Sequence, residues 1–276
     1  MEQHGENPRQ NVIAIIPARY ASTRLESKLL LPIGDKPLIL HTLEQACKAK
    51  TVSRVIVATD DERILRIVLD SGNEAVLTSP EHRSGSDRIA EVAQTLRDRS
   101  IIVNVQGDEP LIAPRTIDAA VECLLAHDAA DMSTTCEVIE NHADILNPNV
   151  VKVVTDERDY AVYFSRSPIP FPRDAVSKYG SIAAALNSEP ELTSRFRKHT
   201  GLYVYRRNYL LRFAKMEQTA LEKTEMLEQL RVIENGGRII VAEVEGGSIG
   251  VDTLEDLERV RAIMEIQDPK SVIQNS

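Results

Sequence analysis

Between Arg19 and Lys28 the chain reads RYASTRLESK, which crowds three cations, Arg19, Arg24 and Lys28, around the hydroxyls of Ser22 and Thr23. Positive side chains so close together repel unless an anion neutralises them, and neighbouring hydroxyls add donors for anionic oxygens. The chemistry that suits such a set is the binding of a phosphate or polyphosphate. A solvated basic loop is the plainer alternative, but the preceding residues weigh against it. Val12 to Ile16 is an unbroken, mostly β-branched apolar run bounded by Pro17, as a strand buried on both faces reads. In an open α/β sheet, ligands bind just past the carboxyl ends of the strands. The loop is not a Walker A element, because it lacks G-x-x-x-x-G-K-[ST] and has no glycine between Val12 and Lys28. Side-chain clamping must therefore take the place of backbone cradling.

Two acidic positions could complete a polyphosphate site. Val105 to Pro110 (VQGDEP) continues directly from the apolar run Ile101 to Val105. Gly107 permits a sharp turn, which would project Asp108 at the carboxyl edge of the sheet, toward the crevice that the Arg19 loop faces. Nucleoside triphosphates arrive with Mg²⁺, which takes one or two carboxylates besides phosphate oxygens and water. Asp108 suits that role, although taken alone it reads better as an Asx-turn residue before Pro110. Farther on, Gly250-Val251-Asp252-Thr253 opens the last periodic segment. There Thr253 can cap a helix with Asp256, or Asp252 can cap it with Glu255.

The elements that would position these residues alternate. Helical periods at Leu38 to Lys50 and after Ser84-Gly85-Ser86-Asp87 are interleaved with strands at Val12 to Ile16, Arg54 to Thr59, Glu74 to Leu77 and Ile101 to Val105. Asp60 and Asp61 stand where they can cap a further helix. This alternation predicts parallel strands covered by helices. The pattern then changes to Met132 to Val138, Val150 to Val154 and Tyr160 to Phe164, strands without long helices between them, so the sheet becomes mixed. Arg173 to Arg195 has little periodicity and reads as a mobile segment. Gly201 to Tyr205 resumes as a strand, Thr224 to Asn235 as a helix ended by Gly236-Gly237, then Arg238 to Val244 as a strand and Thr253 to Glu265 as a helix.

Composition sets the class. With 276 residues, 42% hydrophobic and 27% charged, the chain can bury a substantial core. No apolar run approaches the ~20 residues of a membrane helix, and residues 1–11 are a polar, loose extension without the centre of a signal peptide. A net charge of −9 argues against nucleic-acid binding, which needs an extended basic face. Cys47, Cys123 and Cys136 form no C-x-x-C pair, which suits a reducing compartment. Cys47 and Cys136 read as core thiols. The expected location is the cytoplasm.

The string P-A-R-x-x-S-x-R-x(3)-K from Pro17 to Lys28, the VQGDEP turn, and GVDT followed by EDLERVR resemble the 3-deoxy-manno-octulosonate (Kdo) cytidylyltransferases. The resemblance runs in order from about Val12 to Glu265. It implies a single Rossmann-like α/β nucleotidyltransferase domain, 12–267, with a mixed, mostly parallel sheet. A small sugar-binding and dimerising lobe would be inserted at about 155–205, and a tail would follow at 268–276. It implies CTP and Kdo as substrates and CMP-Kdo for lipopolysaccharide synthesis as the product. It also implies Mg²⁺ held by Asp108 and Asp252, and a homodimer. Ala18, Arg19, Ser22, Arg24, Lys28, Arg88, Gln106 and Asp108 would meet the nucleotide, with Arg19, Arg24 and Lys28 acting in catalysis. Arg166 and His199 would contact the acidic sugar, whose carboxylate suits a cation, and Tyr203, Glu228 and Gln229 would meet its hydroxyls. Read without the resemblance, a lone histidine is more often structural, and Glu228 can simply form surface pairs. One departure stands out. The family has L-P-G-K-P-L where this chain has Leu25-Glu26-Ser27-Lys28-Leu29-Leu30, which changes the turn and adds a negative charge while leaving Lys28 in register. The alternatives are another acidic-sugar cytidylyltransferase, for sialic acid or an amino-substituted Kdo, and a non-catalytic nucleotide sensor. A sialic-acid type would share the first loop but not the whole series VQGDEP, KHTG and LEQLR, and a sensor would have no use for two metal carboxylates.

Overall fold

The structure is a computed structural model that describes residues 11–21, 25–246 and 249–267. The tails expected at either end, and Ser22 and Arg24 of the first loop, lie outside the described residues. The chain divides into two compact units, one running to Asp118 and resuming after Gly246, the other spanning Ala119 to Gly246. The expected lobe at about 155–205 falls inside the second unit, which extends beyond it on both sides.

In the first unit the apolar run forms β1 (Val12–Ala18), followed by a small hairpin, β2 (Pro32–Ile33) and β3 (Lys36–Pro37). Then come α1 (Leu38–Cys47), β4 (Arg54–Thr59), α2 (Glu62–Asp70), β5 (Glu74–Leu77), α3 (Gly85–Gln94) and β6 (Ile101–Asn104). Strand β1 pairs in parallel with β4 on one side and β6 on the other, and β4 pairs in parallel with β5. Val12, Ala14, Ile15 and Ile16 have no exposed surface, as a strand flanked on both sides and covered by helices requires. The chain proceeds from β1 outward through β4 and β5, then returns to place β6 on the opposite side of β1. The order therefore reverses at the β1–β6 boundary, the position where α/β sheets open a crevice beyond their carboxyl ends.

Local signals explain the helices. Asp61 caps α2 by accepting from Arg63 N at 2.9 Å, and Ser84 with Asp87 forms a capping box at the start of α3. Helix α4 (Pro114–Ala126) was not anticipated, yet Ile117, Ala120, Val121 and Leu124 are fully buried at helical spacing. Cys47 is exposed at the end of α1, unlike the buried Cys136, so only the second is a core thiol.

The second unit contains β7 (Met132–Val138), α5 (His142–Leu146), β8 (Lys152–Thr155), β9 (Ala161–Ser165), α6 (Arg173–Tyr179), α7 (Ile182–Ser188) and β10 (Arg197–Arg206). It continues through α8 (Arg207–Phe213), α9 (Ala220–Glu225), α10 (Leu230–Glu234) and β11 (Ile239–Glu243). Strand β7 pairs in parallel with β11 and antiparallel with β10, and β8 pairs antiparallel with β9 and β10. The sheet is mixed here, as the change of pattern predicts.

Two expectations fail in this unit. The segment 173–195 is ordered as α6, α7 and a 3₁₀ turn, because Ala175, Ala185, Leu186 and Leu192 pack with Ile139, Ile145 and Phe196 in one buried cluster. The helix expected over Thr224 to Asn235 breaks at Met226, which takes φ 54°, ψ 48° and ends α9. In the first unit, α11 (Leu254–Gln267) closes the described chain. Among the described residues no helix is long and apolar enough to cross a membrane.

Candidate active site

At the carboxyl end of β1, a cavity of about 420 Å³ opens in the first unit, with Arg19, Lys28, Gln106, Asp108 and Asp252 among its lining residues. Gly107 makes the approach possible, since a Cβ there would lie 3.0 Å from Pro17 O and 3.3 Å from Ile39 Cδ1. Thr42 Oγ1 donates to Gly107 O at 3.0 Å and fixes the turn. Asp108 O in turn accepts from Val251 N at 2.9 Å, which brings the segment before α11 alongside.

The cap of α11 resolves the ambiguity at Asp252. Thr253 Oγ1 accepts from Asp256 N at 3.1 Å, and Asp256 Oδ2 accepts from Thr253 N at 2.9 Å. This reciprocal pair is a capping box, so the Asp252 carboxylate is not needed to start the helix. It faces Lys28 instead. Lys28 Nζ donates to Asp108 Oδ2 at 2.5 Å, to Asp252 Oδ1 at 2.9 Å and to Val251 O at 3.0 Å. Lys28 thus reaches the site despite the altered loop. Burial opposes its charge, but Asp108 and then Asp252 outweigh that cost and hold the ammonium's pKa above its ordinary value. Ser27 stands at φ 54°, ψ 25°, the left-handed conformation that glycine adopts without cost. The serine holds this turn at an energetic penalty, and Glu26 is exposed.

The same three oxygens test the fit of a metal. Two carboxylates and a carbonyl converge on one cation, the donor set that a hard, oxygen-seeking ion prefers. The ammonium of Lys28 binds these three oxygens here. Ala18 is fully buried, so only its backbone can meet a ligand, whereas Arg19 is exposed.

Arg88 calls for a correction. It was expected to touch phosphate, but it has no exposed surface. Its NH2 donates to Asp60 Oδ2 at 2.7 Å and its NH1 to Thr78 Oγ1. Asp60 also accepts from Tyr20 N at 3.4 Å. Arg88 therefore supports the residue next to Arg19 from below, and in this conformation offers a phosphate no surface.

The expected acceptor residues lie in the second unit. His199 and Tyr203 flank a bulge in β10, where His199 pairs with Cys136 and Tyr203 with Thr134, and Gly201 stands at φ 74°. Four residues along β10 span two along β7, which brings the two rings onto one side, with centroids 5.3 Å apart. Thr134 Oγ1 donates to Leu202 O at 2.7 Å and lies 2.8 Å from His199 Nε2. Its single hydrogen is spent, so Nε2 carries the hydrogen and Nδ1 is an acceptor. Burial pushes the His199 pKa down to about 3. His199 is therefore neutral, not the cation expected for a carboxylate, and presents an acceptor suited to a hydroxyl. Burial also raises the Tyr203 phenol, which keeps its proton.

Gln229 and Glu228 occupy a turn before α10, not the interior of a helix. Gln229 is buried, and its Nε2 has no hydrogen-bond partner among the described residues. A buried, unpaired amide is costly unless a ligand satisfies it. Arg231 of the same string is buried against Glu222, its Nε donating to Oε2 at 2.8 Å, and serves the fold. In the second unit, Lys152 and Glu225, which hold Arg166 in place, were not singled out from sequence, and in the first unit Asp60 was read only as a possible helix cap. Lys152 had a signal, a lone charge within the run Val150-Val151-Lys152-Val153-Val154.

Residues 13–240 match the family described as Cytidylyltransferase. The chain is 51% identical over 255 residues to a 3-deoxy-manno-octulosonate cytidylyltransferase of Trichlorobacter lovleyi, covering 92% of this chain and 98% of that protein. A Geobacter sulfurreducens protein of the same name is 52% identical, with 91% and 98% covered. Among solved structures, a CMP:2-keto-3-deoxy-manno-octonic acid synthetase complexed with CTP superposes with a TM-score of 0.83 at 39% identity, covering 93% of this chain and 99% of that one.

Proposed function

The chain belongs to the 3-deoxy-manno-octulosonate cytidylyltransferase family, and we propose that it transfers CMP from CTP to the anomeric hydroxyl of Kdo, releasing pyrophosphate. The observation that carries this reading is the convergence of Asp108, Asp252 and Lys28 at the mouth of the β1–β6 crevice. The triphosphate lies along Arg19 and Lys28, with Arg24 of the same loop assigned to it by family resemblance. Their charges offset those that build on the leaving pyrophosphate. Asp108 and Asp252 are the residues that would hold Mg²⁺, which supplies Lewis-acid stabilisation of phosphate oxygens. When the nucleotide binds, Lys28 exchanges its carboxylate partners for phosphate oxygens.

On the acceptor side, Arg166 supplies the cation for the sugar carboxylate. His199 Nδ1 accepts from a hydroxyl, and the Gln229 amide donates to an oxygen of the sugar. Attack on the α-phosphorus needs the anomeric oxygen in line with the departing pyrophosphate. The proposal includes a cytoplasmic homodimer and a product that feeds lipopolysaccharide assembly. The test is pyrophosphate release from CTP, Mg²⁺ and Kdo, set beside sialic acid as acceptor and ATP, GTP and UTP as donors. Turnover confined to CTP with Kdo supports the reading. Turnover with sialic acid alone, or equal rates with all four nucleotides, overturns it.

A further inference from the structure

Arg166, expected to meet the acceptor carboxylate, is tied to the turn carrying Glu228 and Gln229 by a carboxylate that no motif marks. Glu225 is the last residue of α9. Its Oε1 accepts from Ser165 Oγ at 2.6 Å, and its Oε2 accepts from Arg166 N at 3.0 Å. Arg166 reciprocates, its Nε donating to Glu225 O at 2.7 Å and its NH2 to Met226 O at 3.4 Å. Each side chain thus binds the other's backbone, and the end of β9 is stapled to the corner after α9. The corner is the left-handed Met226, at φ 54°, a conformation that a methionine holds only when its surroundings fix it.

The staple has a foundation. Lys152 is fully buried and donates to Arg166 O at 2.6 Å, Val150 O at 2.6 Å and Asn147 O at 3.0 Å. Arg166 NH1 returns to the same loop at Pro148 O, 2.9 Å away. Glu225 is set against these two cations and accepts from Arg166 N, while Asp144 also acts on Lys152. Because Arg166 already binds three carbonyls, its position is set before any ligand arrives, and the corner that it shares with Glu225 leads into the Glu228–Gln229 turn.

We propose that Glu225 is a positioning residue for the acceptor, holding Arg166 and the Glu228–Gln229 turn as one preformed unit. This rests on the acceptor assignment made above. The test is Glu225→Gln, which keeps size but cannot accept at both positions, with Ser165→Ala as a milder variant that leaves the Arg166 N bond intact. In Glu225→Gln the KM for Kdo should rise by about tenfold or more while the KM for CTP stays within about twofold. Ser165→Ala should shift the same way by less. Amide hydrogen exchange should quicken at residues 165–167 and 226–229 and not elsewhere. A parallel rise in both KM values, an unchanged KM for Kdo, or exchange quickened throughout the second unit would overturn the proposal. Should the unaltered protein release no pyrophosphate with Kdo, the acceptor reading itself fails, and the positioning role fails with it.

Discussion

Replacing Lys28 with methionine removes the ammonium and keeps much of the side chain's bulk, so it isolates what the charge does between Asp108 and Asp252. In the metal-free protein the change leaves two carboxylates facing each other, 2.5 and 2.9 Å from where the nitrogen stood. A hydrogen bond to a charged group contributes roughly 1.5–3 kcal/mol when buried. The Asp252 side chain is about half exposed (52%), and solvent screening reduces its share. The expected cost is therefore about 1–2 kcal/mol, a fall in Tm of roughly 2–8 °C for a protein of this size. It should be measured in EDTA near pH 7. The raised Lys28 pKa means that its stabilisation is fully present below 10.5 and lost only as pH climbs through the folded-state value. Millimolar Mg²⁺ should then stabilise Lys28→Met more than the unaltered protein, because the ion no longer competes with the ammonium; at ten times its Kd the gain is about 1.4 kcal/mol. Turnover should nonetheless fall by about a hundredfold, since the cation is lost where charge builds on the leaving group. An unchanged Tm in EDTA, or equal stabilisation of both proteins by Mg²⁺, would refute the bridging role.

Three further outcomes follow from the same geometry. Ser27→Gly should raise Tm by roughly 2–4 °C, because relief of about 1–2 kcal/mol of left-handed strain exceeds the entropy that glycine loses on folding; a fall in Tm would mean that the turn is not strained. Asp252→Asn should fold with a Tm near normal, since the α11 cap belongs to Thr253 and Asp256, yet lose about a hundredfold in Mg²⁺-dependent turnover. The neutral His199, held down to about 3 by burial, contributes stability above pH 6.5 that drains away as pH falls toward 3, about 1.4 kcal/mol per unit at most; His199→Gln should flatten a plot of Tm against pH between 6.5 and 5, and an equally steep plot would refute the assignment.

What could be read from the sequence was what short stretches decide for themselves. Val12 to Ile16 could only be a buried strand, Ser84 with Asp87 a helix start, and Gly107 a tight turn ahead of an acidic residue. The departures arise where distant residues decide. Arg88 looked available because Asp60 and Thr78, its partners, are 28 and 10 residues away. Segment 173–195 looked formless because its short helices are stabilised by a shared cluster with Ile139 and Ile145, not by a periodic face of their own. The break at Met226 was hidden because methionine carries no turn preference; the left-handed corner is met by Arg166, which donates to Glu225 O and Met226 O. At Asp252, by contrast, both capping schemes were legible, and only three-dimensional pairing chose between them.

The two regions proposed to bind substrate handle charge differently, and this bears on selectivity. Around Lys28 one ammonium is shared between two carboxylates, so a polyphosphate is met by groups that must first let go of one another. In the second unit Arg166 is already committed to three carbonyls, and His199 is neutral. Among the described residues there, the buried Nε2 of Gln229 has no hydrogen-bond partner, and the tautomer of His199 makes its Nδ1 an acceptor. A site that must satisfy buried polar atoms rejects analogues lacking the matching group far more strongly than it rejects a change in apolar bulk, by roughly four to five orders of magnitude against one or two. The acceptor should accordingly be chosen by where its hydroxyls fall, with its carboxylate providing attraction and its hydroxyl pattern providing discrimination.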